Sequence, residues 1–159
     1  MKRCCFLFTN ALLLILLSSS TASAQSDESA VAAVLDGYHQ AAAEADWQTY
    51  FDLLSEDAVF LGTDVSERWP KAVLREYAID SNGWIYLPRE RNINFTPDGN
   101  SAWFDEVLDS ASYGTSRGTG VLIKTDEGWR ISQYHLTFPI PNALAKSFTD
   151  EIKAWEASQ

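Results

Sequence analysis

Apolar residues recur at intervals of three and four from Ala30 onward: Val31, Val34, Leu35, Tyr38, Ala41, Ala42 and Ala45 fall on one face of a helix. Asp46 is placed to cap a second, shorter helix carrying Trp47, Tyr50, Phe51 and Leu54. Ala58 to Leu61 reads as a short buried strand ending at Gly62. Pro70 suits the first turn of a third helix, with Val73, Leu74 and Tyr77 as its apolar side, and Asn82-Gly83 closes that segment. The period then changes from helical to two. Arg89 to Thr96 alternates, placing Arg89, Arg91, Ile93 and Phe95 on one side. Pro97-Asp98-Gly99-Asn100 turns the chain into a strand over Ser101 to Ser110, followed by strands over Thr115 to Thr125 and Trp129 to Phe138. Pro139 and Pro141 stop the sheet, and Asn142 can cap a last helix from about Ala143 to Trp155.

Helices first and then a long antiparallel meander make an α+β pattern, not an alternating βαβ one. Four long strands twist and curl, and helices packed in their concavity leave a cone with one open mouth. The glycines at 118 and 120 fall inside a strand, where such a sheet can bend most sharply.

Composition narrows the function classes. The chain has 159 residues, 46% hydrophobic and 13% aromatic, enough for one packed domain and too apolar for a disordered one. A formal charge of −10 argues against nucleic acid and against a bare anionic membrane, both of which demand a basic face. The first residues read as an address. Lys2 and Arg3 precede an apolar run from Phe6 to Leu17, and Ala22-Ser23-Ala24 is a small-residue cleavage signal. That run is shorter than the roughly 20 residues of a membrane-spanning helix, so residues 1–24 are expected to be a signal peptide cut after Ala24, with no stable membrane insertion afterwards. Cys4 and Cys5 lie in the part removed, which leaves no thiol for disulfides, nucleophiles or thiolate metal sites. A periplasmic or secreted location follows as the expectation.

No motif names a reaction. The last strand offers the clearest candidates: simple alternation puts Trp129, Ile131, Gln133, His135 and Thr137 on one face, running from apolar to polar as along a wall from core to pocket. An imidazole at His135 can move a proton; it equally fits a histidine merely hydrogen-bonded into the wall. Asp64, in the loop after the first strand, is a carboxylate base if apolar neighbours raise its pKa, or else the closure of an Asx turn. Trp69 beside it either packs or lids an opening. In Trp103-Phe104-Asp105-Glu106, Glu106 shares a face with Phe104, and Arg117 on the next strand is placed to pair with it, as a substrate grip or as a register-fixing pair; Arg89 and Arg91 either add to the same network or simply snorkel. Two separated histidines give no metal-ligand spacing, and no Gly-x-Ser-x-Gly elbow or phosphate-binding loop is present, so neither a metal nor a cofactor is expected.

Over residues 30–155 the chain resembles the SnoaL-like branch of the nuclear transport factor 2-like superfamily, which includes ketosteroid isomerases and polyketide cyclases. The resemblance is carried by the helix pair ending near Leu54, Asp57-Ala58-Val59-Phe60-Leu61-Gly62-Thr63-Asp64, Glu67-Arg68-Trp69 and Ala102-Trp103-Phe104-Asp105-Glu106. Further on, Arg117-Gly118-Thr119-Gly120-Val121-Leu122 and Trp129-Arg130-Ile131 with His135 continue it. It implies a cone of helices wrapped by a strongly bent sheet, paired as a homodimer through the outer sheet face, and an acid or base on the last strands, for which His135 is the matching residue. Two functions stay open. One is a module that binds a small apolar or amphipathic ligand against Tyr38, Trp69, Trp103, Arg117 and Gln133. The other is an acid–base enzyme (isomerase, cyclase or hydratase) on a lipophilic carbonyl compound, with His135 as proton carrier, Asp64 or Glu106 as its partner and Tyr38 as an oxyanion donor.

Overall fold

In the computed structural model the backbone is described from residue 9 onward and the side chains from residue 27 onward. The charged start of the expected leader and both cysteines lie outside the described residues. Helix α1 runs Thr9–Glu44, beginning well before the periodic stretch that marks its buried face. Its apolar side, Val31, Leu35, Tyr38, Ala41 and Ala42, is fully packed. The helix breaks at Ala45, which adopts a left-handed φ of 55°, and Asp46 then caps α2 (Trp47–Asp52) by accepting the Thr49 amide at 3.1 Å.

Strands β1 (Leu54–Leu61) and β2 (Arg68–Pro70) precede α3 (Lys71–Ala78), and β3 (Leu87–Phe95), β4 (Ser101–Ser110), β5 (Gly114–Thr125) and β6 (Gly128–Thr137) form the long meander. One six-stranded sheet results, in the order β2-β1-β6-β5-β4-β3. The meander is antiparallel as the sequence implies, but β1 joins β6 in parallel, so the sheet is mixed. Strand β2 is too short for a periodic signal of its own and is held by pairing with β1 from Val59 to Leu61. The terminal helix α4 spans Asn142–Glu156; Asn142 lies inside it and Pro141 stands at its cap without a side-chain hydrogen bond, unlike the expected Asn142 cap.

Helices α1, α2 and α3 pack into the concave side of the sheet, and the core lies between them: Leu35, Tyr38, Tyr50 and Phe51 from the helices against Phe104, Leu122, Ile131 and Tyr134 from the strands; α4 buries no side chain. Gly118 and Gly120 supply space as well as curvature. A Cβ at Gly118 would stand 2.2 Å from the Tyr134 hydroxyl, and one at Gly120 would stand 2.1 Å from the Gln133 carbonyl and 2.8 Å from the Phe104 ring. The Tyr134 hydroxyl occupies the first gap, and the β6 backbone and the Phe104 ring occupy the second.

Candidate functional site: an aromatic pocket backed by a buried charge network

A single extra residue in β6 decides which side chains face inward. Ile131 pairs with Leu122 and Gln133 with Val121, so Ser132 has no partner of its own on β5. Such a bulge reverses the alternation beyond it. Trp129 and Ile131 are buried before it, and Tyr134 is buried after it. The expectation that Gln133 and His135 look into the cone is therefore corrected: Tyr134 and Leu136 point inward, while Gln133 and His135 lie on the outer face opposite Val121 and Thr119. Trp103 and Arg117 share that outer face, since each alternates with buried neighbours, and Trp103 is 48% exposed.

The interior partner of Glu106 is consequently not Arg117, which stands opposite Val107, but Arg91, which stands directly opposite Glu106 on β3. Glu106 is completely buried and accepts three bonds: from His39 Nε2 at 2.6 Å and Tyr134 OH at 2.9 Å on one oxygen, and from Arg91 Nε at 2.8 Å on the other. An ionised carboxylate only accepts, so His39 donates this bond through its Nε2–H. Arg91 continues outward through Nη1 to Asp36 at 2.7 Å and the Ala32 carbonyl at 3.3 Å. Its Nη2 is buried without a partner. Burial pushes the Glu106 carboxyl up, but the bond and charge of His39, and then those of Arg91, outweigh it and hold the group below the usual carboxylate range. Burial and the adjacent Glu106 charge push the Tyr134 phenol well above its ordinary value, so it serves as a neutral donor.

Aromatic rings fill the narrow part of the cone around this network. Tyr38 stacks on Tyr50 at 4.4 Å and receives its hydroxyl bond, and Tyr134 lies 4.9 Å from Tyr38 and 5.7 Å from Phe104. Tyr38, expected as a ligand contact, is thus part of the packed floor. Beyond this floor lies a cavity of about 270 Å³.

That cavity is an aromatic cage. Phe60 (β1), Trp69 (β2), Tyr77 (α3) and Trp84 form a chain of touching rings, with centroids 6.1, 4.8 and 6.4 Å apart. Tyr86, Leu74, Leu136 and the stacked pair Tyr113–Phe138, 4.8 Å apart, complete the walls. Polar groups come from Gly62, Thr63 and Glu67 in the β1–β2 loop and from the tyrosine hydroxyls. Floor and cage meet at Tyr134, whose ring lies parallel to Phe60 at 6.1 Å while its hydroxyl holds Glu106.

Of the residues expected at the site, Trp69 lines the cavity and Glu106 lies behind it. Asp64 is exposed at the rim, where its carboxylate takes the Ser66 amide at 2.8 Å and the Ser66 hydroxyl at 2.6 Å; these bonds hold its pKa below the ordinary value. It closes an Asx turn. His39 lies four residues after Leu35 on the apolar face of α1 and Arg91 lies on an alternating strand, which is the signal that could have found them, whereas Trp84, Tyr86 and Tyr113 sit in connections that carry no periodic signal.

A cone of helices in a curved, unclosed sheet, with its hollow at the wide end, defines the cystatin-like fold of nuclear transport factor 2-like proteins. The chain belongs to the SnoaL-like domain family, whose model matches residues 31–141. Among solved structures, it is similar to a nuclear transport factor 2-like protein with a cystatin-like fold from Novosphingobium aromaticivorans, at 14% identity and a TM-score of 0.64 over 81% of this chain and 92% of that one. A candidate scytalone dehydratase from the same species matches at 12% identity and a TM-score of 0.64, over 76% of this chain and 89% of that one. A nuclear transport factor 2-like protein of unknown function from Pseudomonas putida matches at 14% identity and a TM-score of 0.62, over 74% and 90% respectively. At these identities the likeness is one of fold. No curated protein matches the chain.

Proposed function

We propose that the protein is a secreted or periplasmic module that binds one small apolar or amphipathic molecule in the aromatic pocket. The observation that carries this reading is the lining itself: seven aromatic side chains and two leucines around a few polar groups, with no histidine, lysine or arginine among them. Apolar walls with sparse polar orienting groups are what small-molecule sites require. The location rests on Lys2, Arg3, the apolar run and Ala22-Ser23-Ala24. Cleavage after Ala24 would leave Asp27, which ties α1 to the sheet through Lys124 Nζ at 2.8 Å and Trp129 Nε1 at 3.3 Å. Pairing of two copies through the outer sheet face around Trp103 belongs to the same proposal, supported by the family resemblance and by that exposed ring.

Binding is tested with the neutral fluorescent probe N-phenyl-1-naphthylamine. The protein should enhance its emission saturably, and Leu136→Trp, which fills the cavity from β6, should weaken binding at least about tenfold, the equivalent of one lost buried apolar contact set. Unchanged binding in a folded Leu136→Trp protein would contradict the pocket assignment.

A second reading, an acid–base enzyme acting on a lipophilic carbonyl compound, has one observation in its favour: His39, Glu106 and the Tyr134 hydroxyl meet within hydrogen-bond distance just behind the Phe60 wall. The dehydratase named among the similar structures is in keeping with it. His39, not His135, would then carry the proton. Turnover of any member of a carbonyl panel should drop by about 10²-fold or more in His39→Ala, and activity surviving that replacement would remove this mechanism.

A further inference from the structure

The electrostatics of the pocket go further than its hydrophobicity and specify the sign of charge it accepts. The faces of aromatic rings carry negative quadrupolar potential, and rings that surround a cavity present it from several sides. Here Phe60, Trp69, Tyr77 and Trp84 follow one another ring to ring in the lining, which Tyr113, stacked on Phe138, also joins.

The one formally charged side chain in the lining is Glu67. Its carboxylate is held in place: Oε2 accepts the Asp64 amide at 3.2 Å and lies over Gly62 so closely that a Cβ there would be 2.0 Å away. Gly62 thus leaves room for the carboxylate at the cavity edge. Glu67 forms no ion pair among the described residues, although Arg68 follows it directly. The whole chain, at a formal −10, adds a field of the same sign.

We propose that this pocket takes a small organic cation, a quaternary or tertiary ammonium head on an apolar body, with the head among the ring faces and Glu67 as its counter-charge. The proposal rests on the pocket being a ligand site. An anion of the same shape would meet the rings and a carboxylate with no cationic side chain in the lining to receive it. A neutral isostere would gain the apolar contact alone.

Isothermal titration calorimetry of the protein with three probes of one shape separates these cases: benzyltrimethylammonium, its neutral carbon isostere neopentylbenzene, and benzylsulfonate. The cation should bind about tenfold more tightly than the neutral isostere, the advantage expected of a partly desolvated cation–π site, and the sulfonate should not bind measurably. Glu67→Gln, which keeps an acceptor for the Asp64 amide, should reduce the cation-to-neutral affinity ratio to about threefold, because the aromatic contribution stays while the counter-charge is lost. Trp69→Leu should lower that ratio as well, since it keeps apolar bulk and removes one π face. Equal or tighter binding of the neutral isostere overturns the cation assignment and leaves the pocket standing. A ratio unchanged in Glu67→Gln likewise overturns it. Failure of all three probes to bind overturns the pocket reading itself.

Discussion

Glu106 is the residue on which the interior most depends. It is a fully buried carboxylate satisfied by His39, Arg91 and Tyr134, and Arg91 in turn is compensated by Asp36. Replacing both partners of a buried pair with well-packed apolar groups is often tolerated, whereas removing one leaves the other charged and alone. Glu106→Leu should therefore cost about 3–5 kcal/mol in urea unfolding, and a loss under about 1 kcal/mol would show that Arg91 and His39 find other partners. Gly120→Ala belongs to the same scale. Its Cβ would strike the Gln133 carbonyl, a backbone atom that cannot swing aside, so a loss of at least about 1–3 kcal/mol is expected from overpacking. The melting temperature checks it, and an unchanged value would mean that β5 and β6 can separate locally.

At the scale of elements, the chain's pattern specified most of the architecture. Period 3.6 marked the buried face of α1, Asp46 marked the start of α2, and the Pro97–Asn100 turn fixed the boundary of β4. What the pattern did not carry was the bulge. Ser132 is an ordinary strand-compatible residue, and a continuous period of two is the natural reading of Trp129 to Thr137. The cost of missing one residue is that every side chain beyond it changes face, which is why His135 and Gln133 were expected inside and Tyr134 outside. Arg117 reads as the direct partner of Glu106, with Arg91 as an addition to the network, for a related reason: strand alternation gives a face, but only the register of β3 on β4 brings a particular pair together. The cage was legible only as aromatic abundance, because Trp84, Tyr86 and Tyr113 lie in connections placed by tertiary contacts.

The bulge also makes a prediction of its own. Deleting Ser132 removes the extra residue, so Gln133 follows Ile131 in regular alternation while Tyr134 still points inward and His135 outward. That protein should keep cooperative unfolding and the near-ultraviolet circular dichroism of the packed tyrosines, and Ser132→Ala should stay within about 0.5 kcal/mol of the parent. A Ser132 deletion that loses cooperative unfolding or the native spectrum would mean that the extra residue is not where the pairing places it.

For the molecule as a whole, the charge network links stability to pH. The folded-state pKa of Glu106 lies below the ordinary value of 4.5, so between the two the unfolded chain binds more protons than the folded one. The stabilisation is fully present above the unfolded value and is lost as pH falls through the folded one. Asp27, lowered chiefly by its bond to Lys124, acts in the same direction at the surface. Melting temperature should therefore be level near neutrality and fall on acidification below about pH 4.5, and the fall should be shallower in Glu106→Gln. An equal acid slope in that variant would place the responsible carboxylates elsewhere.

The pocket at the mouth of the cone is the claim on which the functional reading turns, and native mass spectrometry of the protein purified from its own source tests it most directly. The account predicts a chain carrying one small molecule, present in the parent and absent from Leu136→Trp purified in the same way. Retention of that molecule by the filled variant would place the ligand outside the aromatic cage and contradict the account.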